Sequence, residues 1–204
     1  METLTHPVEW GAATVTLAGQ VQSGDRYVVV PSGSGVLVAA IDGLGHGVEA
    51  ASAAQLAAGV LEQDPRESVI TLVRRCHERL RETRGVVMSL AFFNALDETM
   101  TWLGVGNVQG RLDRAGQDVT PSAEFLVLRG GVVGGRLPRL FATVFPVQPG
   151  DTLVFATDGV TLPSAQTVVP GMAPQAIAER ILTRHKKETD DALVVVARWV
   201  GLPR

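Results

Sequence analysis

Residues 35–54 read GVLVAAIDGLGHGVEAASAA, and this stretch decides the fold. It opens with an apolar, β-favouring run over residues 35–41, which is typical of a strand that is buried on both faces. The run ends in Asp42, glycines follow at once, and an alanine-rich helical pattern occupies residues 48–62. A strand, an acidic glycine turn and a helix in this order fit two kinds of site, a nucleotide-binding turn or a metal-binding corner.

The composition predicts a single domain over residues 1–204, long enough to bury a substantial core. Apolar residues make up 46% and charged residues 19%, as in ordinary folded proteins. The formal net charge of −3 lacks the basic excess that is typical of nucleic-acid-binding proteins. No apolar stretch reaches the roughly 20 residues that span a bilayer, no secretory signal is recognisable, and Cys76 is the single cysteine. We therefore expect a cytoplasmic protein with no intrachain disulfide and no nucleic-acid or membrane partner.

The order of the predicted elements separates the helices from most of the strands. Residues 8–18 and 26–30 read as strands, and Asp64-Pro65 predicts a second helix over about 66–84 with Asp64 as its N-cap. A helix over about 173–186 precedes a last strand. Between the second and the last helix lie six short β-rich segments, at residues 86–96, 99–106, 108–114, 124–128, 141–147 and 151–157. This order favours an α+β fold in which two sheets pack face to face with helices outside, rather than alternating βαβ units.

The second predicted helix also carries a group of arginines that lie mostly away from its apolar face. A solvated face interleaved with glutamates is the simpler interpretation, and partner binding is the alternative. The group consists of Arg74, Arg75, Arg79 and Arg81.

The glycine turn has a competing interpretation as a dinucleotide-binding fingerprint. Residues 45–50, GHGVEA, match G-x-G-x-x-A between a strand and a helix. That fold needs parallel strands that alternate with helices, whereas residues 86–157 supply strands in series. Asp42 would also place a negative charge near the docking position of a pyrophosphate. A dinucleotide-binding oxidoreductase is therefore the weaker hypothesis.

The metal interpretation is favoured because the Asp-Gly pattern recurs. Residues 151–160 read DTLVFATDGV, so a second strand ends in Asp-Gly, at Asp158, as the first does at Asp42. The pair Asp190-Asp191 precedes the last strand, and Asp25 opens an early one. These four acidic positions at strand ends can converge at one edge of the sheets. Because clustered carboxylates repel each other and lose solvation, such a cluster is typical of a cation site. Carboxylate and carbonyl oxygens suit Mg²⁺ or Mn²⁺, and the sequence has no cysteine and histidine set with zinc spacing.

The sequence resembles the metal-dependent protein phosphatases of the PPM class, in particular their SpoIIE-like branch. The resemblance rests on SGD at 23–25, DGLGHG at 42–47, PGDTLVFATDGV at 149–160 and DDALVVVAR at 190–198, and so extends over almost the whole chain. Within that branch the chain looks like the RsbX-type serine phosphatases, which act on phosphorylated STAS-domain proteins of the stressosome. The resemblance implies a four-layer α-β-β-α sandwich that removes phosphate from phosphoserine or phosphothreonine and resets a bacterial stress signal.

The resemblance also implies a role for each matching residue. Asp42 would bridge two Mn²⁺ or Mg²⁺ ions, Gly43 would bind one of them through its carbonyl, and Asp158 would be a ligand to one ion. Asp190, the first acid of its pair, would take the last metal position, and Asp25 would act through metal-bound water. A hydroxide that bridges the ions would attack the phosphorus. The candidate catalytic residues are accordingly Asp42, Asp158 and Asp25, and no further cofactor is implied.

Two positions depart from the pattern of the branch. SpoIIE-like phosphatases often carry Ala-Gly-His where residues 104–110 read GVGNVQG, with Asn107 in place of the histidine. The phosphate-binding arginine that some members have near the N-terminus has only Arg26 as a positional candidate. His46, in the glycine turn, is either a proton donor or a structural residue of the turn.

An alternative function keeps the fold without the chemistry. A phosphatase-like module that lacks activity and only binds a signalling partner would share the same motifs. Retention of all the aspartates of the metal site favours an enzyme, because a non-catalytic module has no need of them.

Overall fold

A computed structural model of the protein describes residues 6–116, 121–163 and 171–202. Among these residues, no helix is long and apolar enough to cross a membrane. The described chain forms, in order, β1 (Val8–Val15), β2 (Asp25–Ser32), β3 (Gly35–Gly43), α1 (Val48–Gln63), α2 (Val69–Arg79), β4 (Val86–Asn94), β5 (Thr99–Val105), β6 (Gln109–Asp113), β7 (Ala123–Phe125), β8 (Thr143–Pro146), β9 (Thr152–Ala156), α3 (Pro174–His185) and β10 (Ala192–Trp199).

The strands form two five-stranded sheets, ordered β1-β10-β9-β6-β7 and β2-β3-β4-β5-β8. Every pair of these strands is antiparallel. Helices α1 and α2 pack on the second sheet and α3 packs on the first, so the layers run α-β-β-α. The predicted α+β sandwich is confirmed. The dinucleotide-binding interpretation is wrong, because β3 lies between two antiparallel neighbours and no parallel βαβ unit contains the glycine turn.

The continuous apolar run of β3 follows from its position between two cores. Residues 36, 38 and 40 face the other sheet and belong to the inter-sheet core, which also contains Trp102 and Phe155. Residues 37, 39 and 41 face α1 and α2, where the small side chains of Ala53 and Ala57 allow the helix to approach the sheet. Strand β10 is likewise buried on both faces, between the inter-sheet core and α3.

The second helix differs from its prediction at both ends. Helix α2 begins at Val69 instead of residue 66 and ends at Arg79 instead of residue 84. Its N-cap is Ser68, whose hydroxyl accepts a hydrogen bond from the backbone N–H of Thr71 at 3.2 Å. Asp64 is the C-cap of α1, so the prediction of Asp64 as an N-cap is wrong. The segment predicted at 124–128 also forms only the short strand β7.

Candidate active site

The acidic residues singled out in the sequence lie at one end of the sandwich, where both sheets contribute strand ends. Asp25 is the first residue of β2, and the antiparallel register pairs it with Asp42 near the end of β3. Asp158 lies just beyond β9, and Asp190 and Asp191 immediately precede its antiparallel neighbour β10. Antiparallel pairing thus carries acids that are far apart in sequence to the same end of the fold.

Three of these carboxylates line one cleft with a volume of about 230 Å³. They are Asp42 from one sheet and Asp158 and Asp190 from the other. The remaining wall is formed by Leu17, Leu44, Gly45, His46, Val87, Asn107 and Thr189. The three aspartates expected to be metal ligands therefore face a shared space.

A hydrogen-bond chain joins the two sheets next to this cleft. The Thr157 hydroxyl donates to Oδ2 of Asp25 at 2.7 Å and accepts from the backbone N–H of Leu193 at 2.9 Å. Thr157 directly precedes Asp158, so the same residue fixes Asp25 and the end of β9. Asp25 is buried, with 4% of its surface exposed, whereas Asp42 is half-buried at the cleft.

Both Asp-Gly glycines lie directly against another stretch of backbone. A Cβ at Gly43 would collide with the backbone of Ala50 in α1, and a Cβ at Gly159 would collide with the carbonyl oxygen of Asp191. Only glycine permits so close an approach of another backbone segment. The repeated Asp-Gly pattern is therefore a packing requirement of the site as well as a source of carboxylates.

The two adjacent aspartates before β10 do different things. Asp191 is 4% exposed, and its two carboxylate oxygens accept hydrogen bonds from the backbone N–H groups of Leu17 and Gly24, each at 2.7 Å. Asp190 is half-buried, lines the cleft and accepts a hydrogen bond from the backbone N–H of Asp191 at 2.8 Å. Asp191 therefore ties the N-terminal segment to the sheet, and Asp190 is the member of the pair that faces the cleft.

Burial and mutual repulsion raise the pKa of three of the clustered carboxyls, those of Asp25, Asp42 and Asp190. The pKa of Asp42 rises from 3.8 to about 8, first because burial removes its solvation and then because neighbouring acids, Asp25 foremost, repel its charge. The pKa of Asp25 rises to about 7, again chiefly through burial, although the Thr157 hydrogen bond lowers it. Burial also raises the pKa of Asp190. Carboxyls that resist ionisation together are stabilised as anions by a bound cation.

The donor set fits a hard divalent cation. Asp42, Asp158 and Asp190 offer carboxylate oxygens, and the carbonyl of Gly43 follows Asp42 directly at the end of β3. Within residues 6–116, 121–163 and 171–202, no three Asp, Glu, His or Cys side chains are close enough together to hold an ion by themselves. Carboxylates together with a backbone carbonyl and water molecules are the ligand mixture that Mg²⁺ and Mn²⁺ accept.

The comparison with known families covers most of the chain. Residues 32–200 match the family described as Stage II sporulation protein E (SpoIIE). The chain belongs to the SpoIIE family. The resemblance recognised from the four sequence motifs is thereby confirmed, and as a SpoIIE-family protein the chain is a metal-dependent serine/threonine phosphatase.

Relatives of this SpoIIE-family chain share its length and its fold. The phosphoserine phosphatase RsbX of Bacillus subtilis (strain 168) is 21% identical over 183 residues, which cover 88% of this chain and 89% of RsbX. A chain solved in work on the bacterial stressosome, a modular system adapted to control secondary messenger signalling, matches with a TM-score of 0.86 at 25% identity, covering 94% of this chain and 99% of that one. The structure of RsbX in complex with magnesium matches with a TM-score of 0.83 at 19% identity and 97% coverage of both chains.

Two side chains donate hydrogen bonds to Asp158. Asn107 Nδ2 donates a hydrogen bond to the Asp158 carboxylate at 2.8 Å, and Lys187 Nζ donates to the Asp158 backbone carbonyl at 2.6 Å. Sequence reasoning noted Asn107 only as a departure from the histidine of the SpoIIE-like branch, and that departure was the signal for its place in the cleft. It missed Lys187, because nothing in the residue spacing marks a lysine that lies 29 positions away from its partner.

The other two residues considered from the sequence lie in different places. His46 lines the cleft, with its Nδ1 3.4 Å from Nε2 of Gln20. Arg26 does not line the cleft. Its guanidinium donates to Oε1 of Gln55 in α1 at 3.3 Å and to two backbone carbonyls. Arg26 therefore lies along α1 and does not face the acids as a phosphate-binding arginine of the cleft would.

Proposed function

We propose that this chain hydrolyses phosphoserine and phosphothreonine monoesters in proteins, and that the chemistry takes place in the cleft between the two sheets. The observation that carries the proposal is the meeting of Asp42, Asp158 and Asp190 in one small space. Each comes from a separate strand end, and their shared surroundings favour a cation. The only thiol, Cys76, is fully buried and its pKa is raised to about 12, so it is not a nucleophile for this reaction.

Two Mn²⁺ or Mg²⁺ ions, when bound, supply the Lewis-acid activation of water for in-line attack on phosphorus. Asp42, whose charge is repelled by Asp25 of its own sheet and by Asp158 and Asp190 of the other, would contact both ions. Gly43 would offer its carbonyl to one ion, and Asp158 and Asp190 would offer carboxylates from the opposite sheet. Asp25 is buried and held by Thr157, which suits a role through an intervening water better than direct coordination.

The protein environment positions these ligands before any ion binds. Asn107 orients the Asp158 carboxylate, and Lys187 holds the backbone carbonyl of the same residue. Both carboxylate oxygens of Asp191 accept hydrogen bonds from backbone N–H groups. Asp191 therefore holds the loop of Asp190 in place and does not compete for the ion. Such supporting contacts orient metal ligands and tune their affinity.

We further propose that the substrates are phosphorylated STAS-domain proteins of the stressosome. Two observations support this. The relative RsbX is a phosphoserine phosphatase, and a chain from work on the stressosome matches 94% of this chain. On this proposal the enzyme acts in the cytoplasm, where removal of phosphate from such proteins resets the stress signal.

The experiment is phosphate release from a panel of proteins phosphorylated on serine or threonine, with and without Mn²⁺. The panel contains several phosphorylated STAS domains, unrelated phosphoproteins and a short phosphoserine peptide. We expect metal-dependent release from a STAS domain at a higher kcat/KM than from the peptide, and no release with Asp42→Asn. Equal rates on all substrates would refute the STAS assignment but keep the phosphatase. No release from any of them would favour the non-catalytic binding module.

A further inference from the structure

A groove runs along the outer face of α1 and onto α2, away from the acidic cleft. It consists of two adjoining cavities of about 540 Å³ and 440 Å³, which share Val60, Gln63 and Arg79. The first cavity extends from Ala51 at the N-terminal end of α1, and the second continues across α2 to Arg74. We call this surface the α1–α2 groove.

The α1–α2 groove is basic although the protein carries a formal net charge of −3. Four arginines line it, Arg26, Arg74, Arg75 and Arg79, and Glu78 is its only acid. Arg75 is already paired, with Asp64 at 2.7 Å and Glu67 at 3.2 Å outside the groove. The other three arginines make no ion pair with any described residue. Cations gathered without a counter-charge on the protein are complementary to an acidic ligand.

The floor of the groove is apolar and contains a glycine that the fold does not need. Leu56 and Val60 form part of this floor, and Gly59 lies between them in the interior of α1. A Cβ at Gly59 would meet no atom within 4 Å, and glycine destabilises a helix interior relative to alanine. Nothing in the internal packing therefore accounts for glycine at this position. Its effect is to leave room for a ligand to approach the backbone of α1.

From these contacts we propose that the α1–α2 groove binds an acidic segment of a partner protein. Carboxylates of the segment pair with Arg74 and Arg79, and an apolar side chain of the segment lies on Leu56 and Val60 over Gly59. The groove shares no lining residue with the acidic cleft. Its end at Ala51 adjoins Ala50, the residue whose backbone packs on Gly43.

The first test measures binding of a fluorescein-labelled synthetic peptide of alternating Glu-Glu-Leu triplets by fluorescence anisotropy. At about 0.15 M salt, where charges are screened beyond roughly 8 Å, we expect saturable binding. The variant Arg74→Glu/Arg79→Glu should weaken it by at least about ten-fold, because two attractive pairs become repulsive. The matched control is Arg180→Glu/Arg184→Glu on α3, which makes the same change in net charge on the opposite side of the sandwich and should leave binding unchanged.

The second test uses Gly59, where stability and binding are expected to move in opposite directions. Gly59→Leu places a side chain in open space, so the melting temperature should stay the same or rise, while binding of the peptide should fall by at least about ten-fold. Gly59→Ala, as the size control, should raise the melting temperature and keep most of the binding.

Three results would overturn the proposal. The first is no binding of the Glu-Leu peptide, or equal binding of a version with Gln in place of Glu. The second is unchanged binding by folded Gly59→Leu. The third is single-stranded DNA that binds more tightly than the peptide and loses affinity in Arg74→Glu/Arg79→Glu, since this would identify a general polyanion surface. None of these outcomes depends on phosphatase activity, so the proposal stands or falls separately from the proposed function.

Discussion

The side-chain amide of Asn107 donates a 2.8 Å hydrogen bond to Oδ2 of Asp158, and so joins the turn after β5 to the loop after β9. This hydrogen bond orients the Asp158 carboxylate through Oδ2 and does not involve the other oxygen, Oδ1. The amide of Asn107 does not titrate near neutral pH, unlike the histidine that SpoIIE-like phosphatases often have at this position.

Replacing Asn107 by Ala should weaken Mn²⁺ binding by about 10- to 100-fold, because ligands that lose an orienting hydrogen bond lose affinity by this amount. Isothermal titration calorimetry measures the affinity directly. Asn94→Ala is the control, since Asn94 donates a similar hydrogen bond to Asp97 in a turn away from the cleft. Equal Mn²⁺ affinity in the wild type and Asn107→Ala would show that the hydrogen bond does not position a ligand.

The adjacent aspartates before β10 should respond in opposite ways to the same substitution. Asp191→Asn places an amide N–H opposite one of two buried backbone N–H groups, so the free energy of unfolding should fall by about 2 kcal/mol or more. Asp190→Asn should leave stability nearly unchanged and abolish tight Mn²⁺ binding. Denaturant unfolding and calorimetry on both variants separate the two roles. A metal-binding defect in folded Asp191→Asn together with normal binding in Asp190→Asn would reverse the assignment.

The raised pKa of Asp42 predicts how the stability of chelator-treated protein changes with pH. The folded protein holds this proton up to about pH 8, whereas the unfolded chain releases it near 3.8. The folded state therefore binds more protons between these values, and the free energy of unfolding should fall as pH rises from about 4 to about 8. Asp42→Asn removes this contribution. Over this range the wild type should therefore lose stability relative to Asp42→Asn as the pH rises. Denaturant unfolding of both proteins at several pH values measures the difference. A difference that is independent of pH would contradict the prediction.

Strand β6 contains a buried ion pair outside the acidic cleft. Arg111 is fully buried, donates to Oδ2 of Asp113 at 2.9 Å and also reaches the backbone carbonyl of Pro163. Burial raises the pKa of Asp113, although Arg111 opposes this. Arg111→Met leaves a buried carboxylate without its cation and should cost about 3–5 kcal/mol. The double variant Arg111→Met/Asp113→Leu should recover most of this loss in denaturant unfolding. A double variant no more stable than Arg111→Met would contradict the explanation.

The sequence predicted the strands that carry the site because their apolar runs are long and end abruptly in Asp-Gly. A strand that is buried on both faces has consecutive apolar residues, so β3 and β9 were recognisable from the sequence without knowledge of the fold. The resemblance then identified which aspartates belong together. Helix ends were less predictable, since Asp64 and Ser68 are both good capping residues and only the packing of α2 decides between them.

Other features of the site depended on contacts that local pattern does not encode. The sequence does not distinguish Asp190 from Asp191, because the difference lies in the backbone N–H groups of Leu17 and Gly24, more than 160 residues away. Period-two spacing places Arg111 and Asp113 on one face of β6. The spacing does not show that this face is buried, because the burial involves a distant segment, at Pro163, whose backbone carbonyl Arg111 contacts.

The most direct test is the initial rate of phosphate release from a phosphoserine peptide as Mn²⁺ is titrated into chelator-treated enzyme. We predict a rate that rises from background with Mn²⁺ and saturates in the wild type and in Asp97→Asn, a control on a surface turn. In Asp42→Asn and Asp158→Asn the rate should stay at background although both variants fold. Release that is independent of Mn²⁺, or that survives in both of these variants, would contradict the assignment of the acidic cleft as the catalytic metal site.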